Sequence, residues 1–129
     1  MNELTLVIDD DPSFNAILVR TLERRGYPAQ GALDAASALE LARSTGAGRI
    51  VLDLNLNGSS GLALIPQLLA INPASQIVVL TGYASIATAV DAVKLGAVQY
   101  LAKPVEIEAI IGAFEADDDR IGRFIFFIA

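Results

Sequence analysis

The chain has 129 residues, 53% of them hydrophobic, with 15 Asp plus Glu against 9 Lys plus Arg and neither Cys nor His. That is one domain with apolar surface for a proper core, and it excludes disulfide and thiolate chemistry, His-type zinc sites, His general bases and a phosphohistidine on this chain. The acidic balance argues against a nucleic-acid binder; no apolar run approaches the ~18 residues of a membrane span, and MNELTLVIDDD is no signal peptide, so a cytoplasmic protein is expected.

In chain order, Leu4 to Ile8 is a short apolar run that predicts the first strand, cut off by Asp9, Asp10, Asp11 and Pro12. Ser13 is a plausible N-cap for the first helix. Phe14, Ile17, Leu18, Thr21 and Leu22 recur at helical spacing as its inner face, and Gly26 closes it. Tyr27 to Ala32 is a weaker strand, with Pro28 suggesting an early or edge position. Asp34 or Ser37 caps a helix to about Ser44, with Ala38, Leu41 and Ala42 inward, and Gly46 and Gly48 break it. Arg49 to Leu54 is the central strand, apolar but for its start and for Asp53 near its end.

Asn55 to Gly61 reads as a polar loop. Leu62 to Ile71 reads as a helix in which Pro66 either introduces a kink or marks a late start. Gln76 to Leu80 predicts the fourth strand, ending at Thr81 and Gly82. Ser85 to Leu95 predicts a helix stopped by Gly96, and Val98 to Ala102 a fifth strand ending at Lys103 and Pro104. Ile107, Ile110, Ile111 and Phe114 give the last helix its inner face. Strands and helices alternate five times, which predicts an α/β fold with a parallel sheet covered by helices on both faces.

In a parallel sheet every carboxyl end lies on one edge, where open α/β sheets place their ligands. Asp9 and Asp10, Asp53, Thr81 and Lys103 all stand at such ends. Each alone has a plain use as a cap, a turn or a solvated charge; together they describe a site. Three close carboxylates raise one another's pKa. Mg²⁺ relieves this and takes oxygen ligands, with phosphate oxygens completing its shell. Lys103 and the Thr81 hydroxyl then suit the remaining phosphoryl oxygens, which leaves Asp53 as the nucleophile of an aspartyl phosphate.

These residues sit in LVIDDD (6–11), IVLDLNLNGSSGL (50–62), VVLTGYAS (78–85) and QYLAKP (99–104). The chain resembles, from about Leu4 to Phe114, the receiver domain of two-component response regulators, most like the RegA/PrrA/ActR type. The resemblance implies a doubly wound, flavodoxin-like (CheY-like) fold with five parallel strands in the order 2-1-3-4-5. It implies Asp53 as phospho-acceptor, Asp9 and Asp10 as the Mg²⁺-binding pair, and the Asn55 backbone carbonyl as a further ligand. Thr81 becomes the switch hydroxyl, Lys103 the phosphoryl-binding lysine, Tyr100 the switch aromatic, and Lys103–Pro104 a cis peptide. A sensor histidine kinase is the implied phosphodonor. The surface of the fourth helix, fifth strand and last helix is the implied output or homodimer face. Such a chain is not an enzyme beyond its own phosphorylation and dephosphorylation.

Residues 1–116 are expected to form the receiver and 117–129 an atypical tail, with no helix-turn-helix or other DNA-binding domain and no membrane contact. The loop NLNGSSG lacks the Pro-Gly and acid of many receivers, and GRFIFFIA matches no family motif. The apolar stretch Phe124 to Ile128 reads either as a disordered end or as an extension that packs on the domain or joins two chains. Two other functions fit the fold. One is a receiver used purely for binding, against which the intact site argues. The other is an FMN carrier, but its phosphate loop should offer hydroxyls and amides rather than DDDP. A metal-dependent phosphatase lacks a second base.

Overall fold

The computed structural model describes residues 4–57, 59–82 and 86–118, without the side chains of Ser59, Thr81, Ile86, Ala87, Ala89, Asp117 and Asp118. The elements alternate as expected: β1 (Thr5–Ile8), α1 (Pro12–Arg24), β2 (Ala29–Ala32), α2 (Ala35–Thr45), β3 (Arg49–Asp53), α3 (Leu64–Ile71), β4 (Gln76–Thr81), α4 (Ile86–Lys94), β5 (Gln99–Ala102) and α5 (Ile107–Asp118). All neighbouring strands pair in parallel, in the order β2-β1-β3-β4-β5. The register aligns Ile8 with Leu52, Asp53 with Leu80, and Thr81 with Ala102.

Side chains alternate across a strand, so a sheet buried on both sides makes two cores. Leu6, Ile8, Ile50, Leu52, Ile77 and Val79 point to one face and pack with Ala38 and Ala42 of α2, Ile65 and Leu68 of α3, and Ala92 of α4. Val7, Val51, Val78 and Leu80 point to the other and pack with Leu18 and Leu22 of α1 and Ile110 and Phe114 of α5. β2 lies at the sheet edge, one of the two positions that Pro28 suggested, and begins at Ala29 rather than Tyr27. Among the described residues, no helix is long and apolar enough to cross a membrane.

Several local expectations change or narrow to one of two alternatives. Asp11, not Ser13, caps α1: its carboxylate accepts from the backbone of Ser13 and Phe14, and Pro12 takes the first helical position. Asp34 caps α2, accepting from Ser37 N at 2.8 Å. Pro66 marks a late start: a single 3₁₀ turn, Gly61–Ala63, precedes α3, and Pro66 lies in its first turn, where no intrahelical N–H bond is lost. The segment after Asp53 is no open loop, for Asn55–Leu56 pairs antiparallel with Ser59–Ser60. The expected helix start at Ser85 and the tail from 119 onward lie outside the described residues.

Ile17, expected on the inner face of α1, is 58% exposed, whereas Leu22 is 1% exposed. Leu22→Ala should therefore cost about 2–5 kcal/mol through lost burial and the cavity left behind. Ile17→Ala should stay within about 0.5 kcal/mol. Urea unfolding of the two variants checks the pair; comparable losses would place Ile17 in the core after all.

Candidate functional site

The carboxyl ends of β1 and β3 each deliver one buried acid. Asp9 follows β1 directly and is 1% exposed; Asp53 is the last residue of β3 and is 7% exposed. Lys103 follows β5, and its ammonium Nζ lies between them, 2.9 Å from Asp9 Oδ2 and 3.0 Å from Asp53 Oδ2. The Phe14 ring, from the first turn of α1, faces the same ammonium at 4.5 Å. The Lys103–Pro104 peptide is cis, as the resemblance implied.

The remaining carboxylate oxygens are held by backbone N–H groups. Asp9 Oδ1 accepts from Asp11 N at 2.9 Å, and Asp53 Oδ1 accepts from Asn55 N at 2.9 Å. Asp10, half-buried, accepts through Oδ2 from Asn57 N at 2.8 Å. The paired segment after Asp53 thus serves two acids at once. Gly61 lets it lie close, since a Cβ there would sit 2.6 Å from the Asp53 carbonyl oxygen.

One oxygen each of Asp9, Asp10 and Asp53 falls within 4.8 Å of the others. Three carboxylates facing one ammonium leave two net negative charges in a confined space. That charge and the all-oxygen donor set fit a hard divalent cation. Burial, with the Asp53 charge adding to it, raises the Asp9 pKa above 3.8 despite the opposing pull of the Asp11 N–H and Lys103. Burial also works against the Lys103 ammonium, but its bonds to Asp9 and Asp53 prevail and its pKa lies above 10.5.

Of the residues expected in the site, the structure brings together Asp9, Asp10, Asp53 and Lys103, with Asn55 beside them. The Thr81 backbone closes β4 on the same edge, but its hydroxyl lies outside the described residues. Tyr100 stands on β5 and is 38% exposed. Sequence reasoning missed the direct ion pairs of Lys103, the Phe14 contact and a buried amide, Asn15, that binds the end of β1. Asn15 left one trace: with Leu18 and Leu22 it makes an i, i+3, i+7 stripe, polar at one point.

Asp9 binds its proton more readily folded than unfolded. Its contribution to stability is full below 3.8 and is lost as pH rises through the raised folded value. In chelator, Asp9→Asn should therefore gain on the wild type as pH rises through that window, and the gap should close as pH falls toward 3.8. Urea midpoints of the two proteins across acidic pH test this. A gap independent of pH would mean that Asp9 is not destabilised by its burial.

Residues 5–115 match the family described as the response regulator receiver domain. The chain is 41% identical over 108 residues to the acid tolerance regulatory protein ActR of Rhizobium meliloti (strain 1021), a match covering 84% of this chain and 56% of ActR. It is 37% identical over 116 residues to the photosynthetic apparatus regulatory protein RegA of Rhodobacter capsulatus, covering 90% of this chain and 63% of RegA. The chain thus spans less than two thirds of the length of either relative. The crystal structure of a response regulator protein from Burkholderia pseudomallei, which holds a phosphorylated aspartic acid, a calcium ion and citrate, is similar with a TM-score of 0.83 at 46% identity, over 92% of this chain and 74% of that one. A receiver domain protein (CheY-like) from Methanospirillum hungatei JF-1 shares the fold at a TM-score of 0.84 and 24% identity, over 92% of this chain and 95% of that one. The parallel order, the acidic cluster and the extent of these matches agree: the chain belongs to the receiver domains of two-component response regulators, a family of signalling modules rather than classical enzymes.

Proposed function

We propose that this chain is a Mg²⁺-dependent phosphorylation switch, with Asp53 accepting a phosphoryl group from a sensor histidine kinase. The observation that carries the reading is the Lys103 ammonium bonded to both Asp9 and Asp53, within a cluster of three acids. A carboxylate oxygen of Asp53 forms the new P–O bond as the bond to the phosphodonor's leaving group breaks. Lys103 then turns from the carboxylates to a phosphoryl oxygen, and the Thr81 hydroxyl takes another. Asp9, Asp10, Asp53 and the Asn55 backbone carbonyl would hold the cation. When bound, a divalent ion supplies charge neutralisation to the carboxylates and to the transferring group, which is most of what phosphoryl transfer requires.

In this reading residues 1–116 are the working unit and 117–129 a tail. The chain acts on no substrate other than its own aspartyl group. Tyr100, now outward, turns in when Thr81 moves toward the phosphoryl group. That change repacks the face made by α4, β5 and α5, which controls an output partner or a homodimer. α4 and β5 already expose Val90, Val93 and Tyr100 there. The reading carries a cytoplasmic location and, by analogy with the regulatory relatives, a place in transcription control without direct DNA contact by this chain.

Acetyl phosphate with Mg²⁺ should add one phosphoryl mass to the intact protein. Asp53→Asn should abolish the adduct, because an amide is a poor nucleophile at neutral pH, and chelation of Mg²⁺ should suppress it in the wild type. An adduct that persists in the Asp53→Asn protein would refute the assignment.

A further inference from the structure

The ladder between β1 and β2 ends at Ile8 opposite Ala32. The chain then enters α1 at Pro12, carrying Asp9 and Asp10 through the turn. Three backbone carbonyls meet at this junction, those of Val7, Asp9 and Ala32. The Asn15 side chain donates to all three through Nδ2, at 3.2, 3.0 and 3.0 Å respectively. An amide nitrogen has two N–H donors, so three oxygens share them. Asn15 is 4% exposed, and an amide buried without such partners would be costly. An apolar residue would continue the stripe of Leu18 and Leu22; the amide is there for the carbonyls.

The Asp9 carbonyl belongs to the Asp9–Asp10 peptide. That unit is planar, so holding its oxygen fixes the plane from which Asp10 departs. On the other side of Asp9, its N–H donates to the Ala32 oxygen at 3.1 Å, the same oxygen that Asn15 binds. Asn15 therefore holds the Asp9 carbonyl directly and fixes the Ala32 oxygen that the Asp9 N–H binds. The room for it comes from β2. A Cβ on Gly31 would lie 2.0 Å from Asn15 Oδ1 and 3.0 Å from its Cγ. Gly31 is in a strand and its φ is not in the left-handed region, so what glycine supplies here is space.

We infer that Asn15, seated in the notch left by Gly31, is a positioning residue for the acidic pair. Its amide sets the Asp9–Asp10 peptide so that both carboxylates face a common cation. The inference rests on the reading of the site as a cation-dependent phospho-acceptor. Asn15 touches neither the cation nor the phosphoryl group; it acts on the geometry of the groups that do. In metal sites, loss of such supporting contacts costs about 10–100-fold in affinity.

Calorimetric titration of Mg²⁺ into wild type, Asn15→Ala, Gly31→Ala, the double variant and Asp10→Asn tests this, run well below each protein's melting temperature. Asn15→Ala and Gly31→Ala should each raise the Mg²⁺ Kd by about tenfold. Gly31→Ala keeps the amide but displaces it, so it carries the test if Asn15→Ala does not fold. With the amide gone the added methyl has nothing to displace, so the double variant should match Asn15→Ala rather than compound the two losses. Lower melting temperatures with an unchanged Kd would make Asn15 a purely structural residue and overturn the inference. Equal Mg²⁺ affinity in wild type and Asp10→Asn would instead overturn the reading of the site on which it rests.

Discussion

One ammonium group allows two carboxylates to share the interior edge of this sheet. Asp9 and Asp53 are almost fully buried, and each has one oxygen on Lys103. Two like charges desolvated side by side would drive one of them to take a proton. Lys103 opposes that, but it does not fully compensate, since the Asp9 pKa remains raised with burial as the leading cause. A buried ion pair of this kind is a weak source of stability. Its value lies in keeping charge at a place where neutral side chains would pack with less strain, and that stored repulsion is what a cation would relieve.

The scaffold makes this tolerable by being conventional elsewhere. Both faces of the sheet are covered, and the three central strands, β1, β3 and β4, carry Leu, Ile and Val almost without interruption until their carboxyl ends. Register does the rest. Because Ile8 pairs with Leu52, Asp9 and Asp53 emerge at the same level from adjacent strands. Lys103 arrives from β5, two strands away from β3, and needs its long side chain to reach them. A shorter cation at that position would not span β4.

Much of this was legible in the sequence, for a physical reason. Buried parallel strands are continuous apolar runs, and a polar residue that ends one is conspicuous. Asp9 and Asp53 were found that way, and Lys103 by its place at the end of the fifth strand. Features that depend on how elements meet left weaker traces. Ile17 obeys helical spacing, but α1 is covered by β-strands and α5 along a narrower stripe than its apolar residues fill. Asp11 and Ser13 are both good caps, and only the position of Pro12 at the first helical turn gives the role to Asp11. The short pairing of Asn55–Leu56 with Ser59–Ser60 has no periodicity to announce it. Asn15 was missed because its partners are backbone carbonyls, which carry no sequence identity at all.

The two sides of the site are tied down unequally. On the β1–α1 side, Asp9 bonds Asp11 N, Asp11 caps the helix, Asn15 holds three carbonyls and Phe14 covers the ammonium, all within seven residues of sequence. On the β4–β5 side, the strand that carries Tyr100 alternates half-buried and exposed residues and lies at the sheet edge. Local opening is easiest where buried contacts are fewest. A charge placed on Asp53 would therefore meet a stiff wall on one side and a yielding one on the other. Lys103 is the group that connects them: it is anchored to Asp9 of the stiff side and to Asp53 between the two, and is continuous in chain with the strand of the yielding side. If a phosphoryl group draws the ammonium off Asp9, the strand that must accommodate the movement is β5, not β1.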